Sequence, residues 1–443
     1  MVRTLRSGID PPAPVRELAA MLERAGYEAW CVGGAVRDAL LGHAHLDWDL
    51  ATSATPNEVR RVFRRTVPVG VEFGTVGVFD REGRMHEVTT FRRDVRTDGR
   101  HAEVEFGASL DDDLARRDFT INAIAYSPSK DEMRDPFGGR DDLRRGIVRA
   151  VGAPRERMKE DRLRALRGLR FAGRFGFTID DDTWRAIAES AGHLGRLSRE
   201  RVKQEIEKTV DQVVRPSLTF RLWRDAGAFE ELVPELAGVD DLALEAIDAV
   251  PIPAVVSEKP AARARADRRR LLRLALLFAE LEPERADRVL RTLRFSNQQT
   301  AQIVHAVRYW RTLGPEMTGA LTGGQAVPPP TVRRWAAAAG RPTFPLVMRF
   351  AAARWTAQRA RGLTAPSAAA ACRLYSQGVR IAYRDPIALA DLAIDGGDLV
   401  AAGIAPGPSL GQILERLRDA VLEDPARNTR EQLLALARTL HPS

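Results

Sequence analysis

Residues Cys31 to Pro56 read CVGGAVRDALLGHAHLDWDLATSATP. A strand-like run ends in the pair Gly33 and Gly34, a short helical stretch follows, and Asp47 and Asp49 then flank Trp48. Residues two apart in a strand share a face, so both carboxylates project one way and the indole the other. Adjacent carboxylates repel unless they share protons or cations. Paired hard oxygen donors suit Mg2+, which takes one or two carboxylates together with substrate phosphates. Taken alone, such a triplet is more often a solvated turn. The glycines shift the balance, because backbone lacking a Cβ lets a ligand approach closely ahead of helix N-terminal amides, an arrangement that cradles phosphate. Neither GxGxxG nor GxxxxGK[ST] occurs, so the stretch is neither a dinucleotide fingerprint nor a P-loop. A triphosphate at the glycines, bridged by metal to the acids, fits two-metal phosphoryl transfer. Glu87, in MHEVTTFRRD, is the candidate for a third acid on a neighbouring strand.

The surrounding chain predicts an α+β head. Up to about residue 150, short runs such as AWCVGG, TVGVFD, RMHEVTTF and FTINAIAY are rich in β-branched or aromatic residues with partial alternation. From about Arg155 onward alanine, leucine and arginine recur at helical spacing, and no further strand is expected. Proline and glycine interruptions at residues 251–264, 323–330 and 362–371 read as joints between helical blocks. The expected division is a head at 1–150, a helical neck at 151–215, a helical body at 216–360 and a helical tail at 361–443.

The net charge of +8 favours a polyanionic partner, since surface cations gain free energy by displacing the counterions of nucleic acid. Lysine occurs only at Lys130, Lys159, Lys203, Lys208 and Lys259, so codon bias toward arginine also explains part of the basic balance. No stretch approaches the roughly 20 apolar residues that span a bilayer, and the distant pair Cys31 and Cys372 offers neither a metal cluster nor a disulfide framework. A cytoplasmic protein with no membrane partner is expected. The histidines are scattered, without an HD or HExxH pair, which argues against a fused hydrolase.

The linked motifs resemble the class II tRNA nucleotidyltransferase and poly(A) polymerase family, whose head has the DNA polymerase beta-type nucleotidyltransferase fold, and most closely its bacterial CCA-adding members. GGAVRD with LDWDLATSATP looks like the metal motif; ARRDFTINAIAY (Ala115 to Tyr126) looks like the ribose and phosphate motif. DPFGGRDDLRRGIVR (Asp135 to Arg149), KEDRLRALRGLRFAGRFGF (Lys159 to Phe177) and LSRERVKQEI (Leu197 to Ile206) resemble the head-to-neck, base-selecting and last neck elements. DLAIDGGDLVAAGIAPGPSLGQIL (Asp391 to Leu414) resembles the bacterial tail, so the likeness spans nearly the whole chain. It implies that Asp47 and Asp49 bind metal and that Gly33, Gly34 and Arg37 lie beside the triphosphate. It also implies that Arg117, Asp118 and Asn122 contact or position ribose and phosphates, with Asp161, Arg164 and Arg167 at the nucleotide. Trp48 stands where a small aliphatic residue is frequent in the family; facing away from the metals, it is expected to alter packing and not catalysis.

In EDRLR, Asp161 and Arg164 are three apart, which on a continuous helix puts them on one face. A carboxylate only accepts and a guanidinium only donates, so together they suit a base with an exocyclic amine beside a ring acceptor, as in cytosine and adenine. Uracil and guanine are mismatched. The alternative for this pair is a surface ion pair. Residues Arg92 to Leu110 read as a polar loop resembling the family's flexible loop for switching from C to A addition, or else as an ordinary hairpin. The expected activity is addition of C, C and A to tRNA from CTP and ATP with Mg2+. An A-adding enzyme with a separate C-adding partner, a poly(A) polymerase and a non-catalytic RNA-binding protein are the alternatives. GVEFGTVGVF lacks the basic GRRF-like stretch of the polymerases.

Overall fold

Alternating and β-branched runs of the N-terminal third condense into strands β1 (Ala29–Val32), β2 (Asp49–Thr52), β3 (Thr66–Gly70), β4 (Thr75–Phe79), β5 (Met85–Thr90), β6 (Arg92–Thr97), β7 (Ala102–Phe106), β8 (Ala125–Ser127) and β9 (Glu132–Arg134). The computed structural model describes residues 8–43, 47–97, 102–252, 260–323 and 325–440. Seven of these strands make one sheet in the order β3-β4-β5-β2-β1-β8-β9. All neighbours run antiparallel except β2 and β5, which are parallel, so the sheet is mixed. All four residues of β1 are buried, as its place among the inner strands requires, whereas β5 alternates exposed and buried positions along Met85 to Val88.

Helices α1 (Ala13–Arg24), α2 (Gly34–Leu40), α3 (Pro56–Val62), α4 (Leu110–Ala115) and α5 (Gly139–Arg145) connect and cover the strands. Thr55 caps α3 and Ser109 caps α4, each accepting from the third helical amide while the acid there, Glu58 or Asp112, reaches back. Trp30, Val32, Ala51, Phe91, Leu114 and Ala123 pack into one core between the sheet and α4. Among the described residues β6 and β7 pair only with each other, so the segment read as a polar loop or a hairpin forms a two-stranded hairpin; its tip, 98–101, lies outside the described residues.

Beyond the head come α6 (Pro154–Glu160), α7 (Leu163–Phe175), α8 (Asp181–Ala191), α9 (Arg199–Gln212), α10 (Pro216–Asp225) and α11 (Ala228–Leu232). The expectation of no strand after Arg155 is corrected here. Strand β11 (Thr178–Ile179) pairs in parallel with β10 (Ile147–Val148), and two residues are too few for alternation to register in a sequence.

The chain divides into two compact units, Met1–Thr209 with Leu218–Ala237, and Val210–Ser217 with Gly238–Ser443. Residues 218–237, expected in the body, cluster instead with residues 1–209. The second unit holds α12 (Asp241–Asp248), α13 (Pro260–Leu277), α14 (Pro283–Thr292), α15 (Asn297–Thr322), α16 (Pro329–Ala339), α17 (Phe344–Ala360), α18 (Ala368–Arg384), α19 (Gly396–Ala401), α20 (Pro408–Glu423) and α21 (Arg430–Leu440). Two of the expected joints fall between α15 and α16 and between α17 and α18; of the first, 251–264, residues 253–259 lie outside the described residues and 260–264 already belong to α13. One cluster of this unit centres on Trp335, Phe344 and Trp355, another on Leu399, Leu417 and Leu433. Arg273 is wholly buried and donates to the carbonyls of Val210 at 2.7 Å, Val213 at 2.9 Å, Val214 at 3.3 Å and Val250 at 2.8 Å. Burial, with Arg269 adding repulsion, lowers its pKa to about 10, still protonated at neutral pH. Among the described residues no helix is long and apolar enough to cross a membrane.

Candidate functional site

The Asp-Trp-Asp triplet enters β2 as the strand rule requires: Asp47 and Asp49 are exposed, and Trp48 between them is buried. Val32 of β1 pairs with Asp49, and on the other side Leu50 pairs with Val88 of β5. Carried one residue back, that register sets Asp49 beside Glu87, whose side chain is also exposed. Glu87 therefore shares a face and a neighbouring strand with the two aspartates. Among the described residues, however, no three His, Cys, Asp or Glu side chains converge closely enough to hold a metal without help. Two hard carboxylates on one exposed face still fit a divalent cation that completes its shell with phosphate oxygens.

The turn between β1 and α2 brings the glycines to this edge. Gly33 has φ 75°, and a Cβ there would lie 2.9 Å from Nη1 of Arg117, so only glycine combines this conformation with that approach. Gly34 opens α2. The Arg117 guanidinium donates to Oδ2 of Asp113 at 3.1 Å and to the Asn122 carbonyl at 3.4 Å, which fixes it over the turn.

Arg37 and Asp118 lie deeper. Arg37 is buried, its Nε donating to Oδ1 of Asp38 at 2.8 Å and its Nη1 to the Asn122 side chain. Its guanidinium carbon stands 5.1 Å from the Phe171 ring and 4.8 Å from that of Phe175, a stacked cation–π arrangement. The wall of the site thus receives a guanidinium already oriented by protein partners. Asp118 accepts from the Phe119 amide at 2.8 Å, from Nδ2 of Asn122 at 2.9 Å and from Nε of Arg167 at 2.7 Å. Burial opposes its ionisation, but the Arg167 charge and these hydrogen bonds outweigh it and hold the pKa at about 2.

One expectation about the base-selecting segment is corrected. Asp161 and Arg164 do not share a helix: α6 ends at Glu160, Asp161 is extended at φ −150° and ψ 107°, and α7 begins at Leu163. The Asp161 carboxylate caps the new helix by accepting from the Leu163 amide at 3.0 Å, a local bond that competes with helix continuation. Its other oxygen accepts from Arg201 of α9 at 2.7 Å. Arg164 donates to Glu160 at 2.5 Å, the Arg116 carbonyl at 3.0 Å and the Arg157 carbonyl at 3.3 Å. The structure therefore gives each member of the pair a different partner.

Sequence reading missed the residues that hold the expected ones. Arg164, Arg167, Arg170 and Arg174 form a row on α7, and the buried acids Asp38, Asp118 and Glu205 offset it. The 3–4 spacing of arginines in RLRALRGLRFAGRFGF was the available signal. Asp38, Glu205 and Arg201 carried none, because they come from other elements.

Comparison with known proteins matches residues 29–149 to the poly A polymerase head domain, 176–239 to the RNA and SrmB binding site of polymerase A, and 373–437 to tRNA nucleotidyltransferase domain 2. A CCA-adding enzyme of Lactiplantibacillus plantarum is 33% identical over 436 residues, covering 95% of each chain. One from Geobacillus kaustophilus is 48% identical over 189 residues, 42% of this chain and 46% of the relative. Among solved structures, the Bacillus stearothermophilus CCA-adding enzyme in complex with CTP superposes with a TM-score of 0.75 at 30% identity, covering 97% of this chain and 98% of that one.

Proposed function

We propose, from the premise that this chain belongs to the CCA-adding family of class II tRNA nucleotidyltransferases, that its first unit binds CTP or ATP and transfers the nucleotide to a tRNA 3′ end, releasing pyrophosphate. One observation carries the assignment of the reacting centre: Asp47 and Asp49 project together around the buried Trp48, at the edge where Gly33 turns the chain.

The family needs a divalent metal; Asp47 and Asp49 would hold it, and Mg2+ is the ion that their oxygens and a triphosphate suit. When bound, it neutralises phosphate charge and activates the attacking hydroxyl. The chain's own residues do the rest. Gly33 and Gly34 leave room for the triphosphate, and Arg117, fixed by Asp113, supplies fixed positive charge beside it. Asp118 orients Arg167 and Asn122 toward ribose and phosphate, while Arg37 stiffens the wall between α2 and α7.

Base choice falls to Asp161 and Arg164. Their chemistry, an acceptor and a donor, matches the amine and ring nitrogen of cytosine or adenine. Uracil and guanine would leave desolvated groups unpaired, a penalty of roughly 1–3 kcal/mol for each. The tRNA would be held by shape and backbone contacts, without sequence readout. The free cysteines, Cys31 buried and Cys372 exposed, suit the reducing cytoplasm, where we place the protein.

The test offers purified protein three tRNAs, ending before the first C, after one C and after CC, with each nucleoside triphosphate in turn. Stepwise C, C and A addition is expected from the native chain and none from Asp47→Ala or Asp49→Ala, with tRNA retention preserved. Full activity in either variant would remove the proposed centre.

A further inference from the structure

Among the described residues of the first unit, large apolar side chains are strongly exposed at Val69, Phe73, Met85 and Phe106, each 37–42% accessible. They lie on β3 to β5 and on the hairpin that follows. Strand register shows which face most of them occupy. Gly77 pairs with Glu87, Phe79 with Met85 and Thr75 with Thr89, so Met85, Phe79 and Thr75 share the face of Glu87 and hence of Asp49. Val69 stands on that face too: a Cβ on Gly77 would meet Val67, Val69 and Met85 side chains, all at 2.8 Å. A Cβ on Gly70 would meet the Phe73 ring at 3.8 Å and the Thr75 side chain at 4.0 Å, which puts Phe73 on the same side. Gly77 lets Val67, Val69 and Met85 close over β4, Phe73 extends this shelf beside Gly70 and Thr75, and Arg65, stacked 5.3 Å over Phe79, gives it a cationic rim.

One row of residues therefore crosses the sheet in the order Val67, Gly77, Glu87, Asp49, Val32. Strands β1 and β5 flank β2 on opposite sides, so Gly33, which follows Val32 on β1 with Arg117 over it, stands across Asp49 from the shelf, on the side assigned above to the incoming nucleotide. In an in-line displacement the attacking and leaving oxygens stand on opposite sides of the phosphorus. The attacking RNA must then reach the acids from the β5–β4–β3 side, where the shelf lies. Met85 is two residues from Glu87, about 7 Å along the strand, and Gly77 is two strands from Asp49, about 10 Å across. A nucleotide whose 3′-hydroxyl sits at Asp49 carries its base over this ground.

We propose that Val69, Phe73 and Met85 form the seat for the unpaired 3′-terminal base of the RNA acceptor. A planar base meets an aromatic ring and a thioether, contacts that tolerate any base, while Arg65 faces the backbone phosphates. Such tolerance suits an acceptor whose last base changes with every addition. The proposal rests on the reading that Asp47 and Asp49 mark the reacting centre.

The experiment uses the full chain carrying Phe73→Ser, Met85→Ser or both, and a tRNA ending in CC with 2-aminopurine substituted at its last position. In the native protein the probe is quenched on binding without nucleotide. Each single variant should lose quenching and raise KM for tRNA by roughly 5- to 100-fold, leaving KM for nucleotide unchanged. Met85→Gln, which keeps length but not softness, serves if a serine variant melts early. Unchanged tRNA KM and quenching in well-folded variants would overturn the proposal, as would a change confined to self-association, which would give the shelf to a protein partner. Asp49→Ala separates the two readings: it should keep the quench while losing incorporation, and an active Asp49→Ala would strike the reacting centre instead.

Discussion

Replacing Asp118 by asparagine removes one charge from a buried network and nothing else of comparable size. In the native protein this carboxylate accepts from Arg167, Asn122 and the Phe119 amide, and its pKa lies at about 2 against an ordinary 3.8. That depression corresponds to roughly 2 kcal/mol of stability carried by the ionised form. The sign is that of a lowered acid: the contribution is complete above pH 4 and disappears as pH falls from about 4 to about 2. Asparagine forfeits this at neutral pH and leaves the Arg167 guanidinium without its counter-charge; that side chain is 31% accessible, so water offsets part of the loss and the cost is roughly 2–3 kcal/mol. For a unit of this size each kcal/mol lowers the melting temperature by roughly 2–4 °C. A fall of roughly 4–12 °C at pH 7 is therefore expected by calorimetry, together with a raised KM for CTP and ATP as Arg167 loses its orientation. The companion Asp118→Asn/Arg167→Met should recover part of the melting temperature but none of the nucleotide affinity. A single Asp118→Asn variant that melts and turns over like the native protein would refute the reasoning.

Arg273→Met should destabilise the second unit by roughly 1–3 kcal/mol, seen as an earlier unfolding transition, since the carbonyls of Val210, Val213, Val214 and Val250 lose their donor; Arg273→Lys should recover little, lacking the fork that reaches several carbonyls. Arg201→Met should raise the ratio of UTP to CTP incorporation about tenfold, because the Asp161 carboxylate loses its clamp, and an unchanged ratio would show that Asp161 orients without it.

The Asp-Trp-Asp strand was legible because its chemistry and its geometry are both local: alternation places two acids on one side, and the buried Trp48 is the other half of the same rule. Gly33 was legible as a residue needing freedom, and the structure gives the reason in its φ of 75°, while the Arg117 guanidinium that lies over the turn comes from a segment far along the chain. The reading of EDRLR failed at one point. Helical spacing was projected through Asp161, where the carboxylate's own bond to the Leu163 amide ends one helix and starts the next. Arg201 carried no mark in the sequence of being Asp161's partner, since thirty-odd intervening residues had to fold α8 and start α9 before the two could meet.

Patterns that lie within a single element, such as the paired acids, the glycine turn and the arginine spacing of α7, are written into the chain, because backbone periodicity converts spacing directly into direction. Pairings between elements depend on sheet register and helix packing, which many distant residues set together. That is why the neighbours of Arg37, the counter-charges of the arginine row and the alignment of an apolar shelf with Asp49 emerge only once β1, β2, β4, β5 and α7 stand in place.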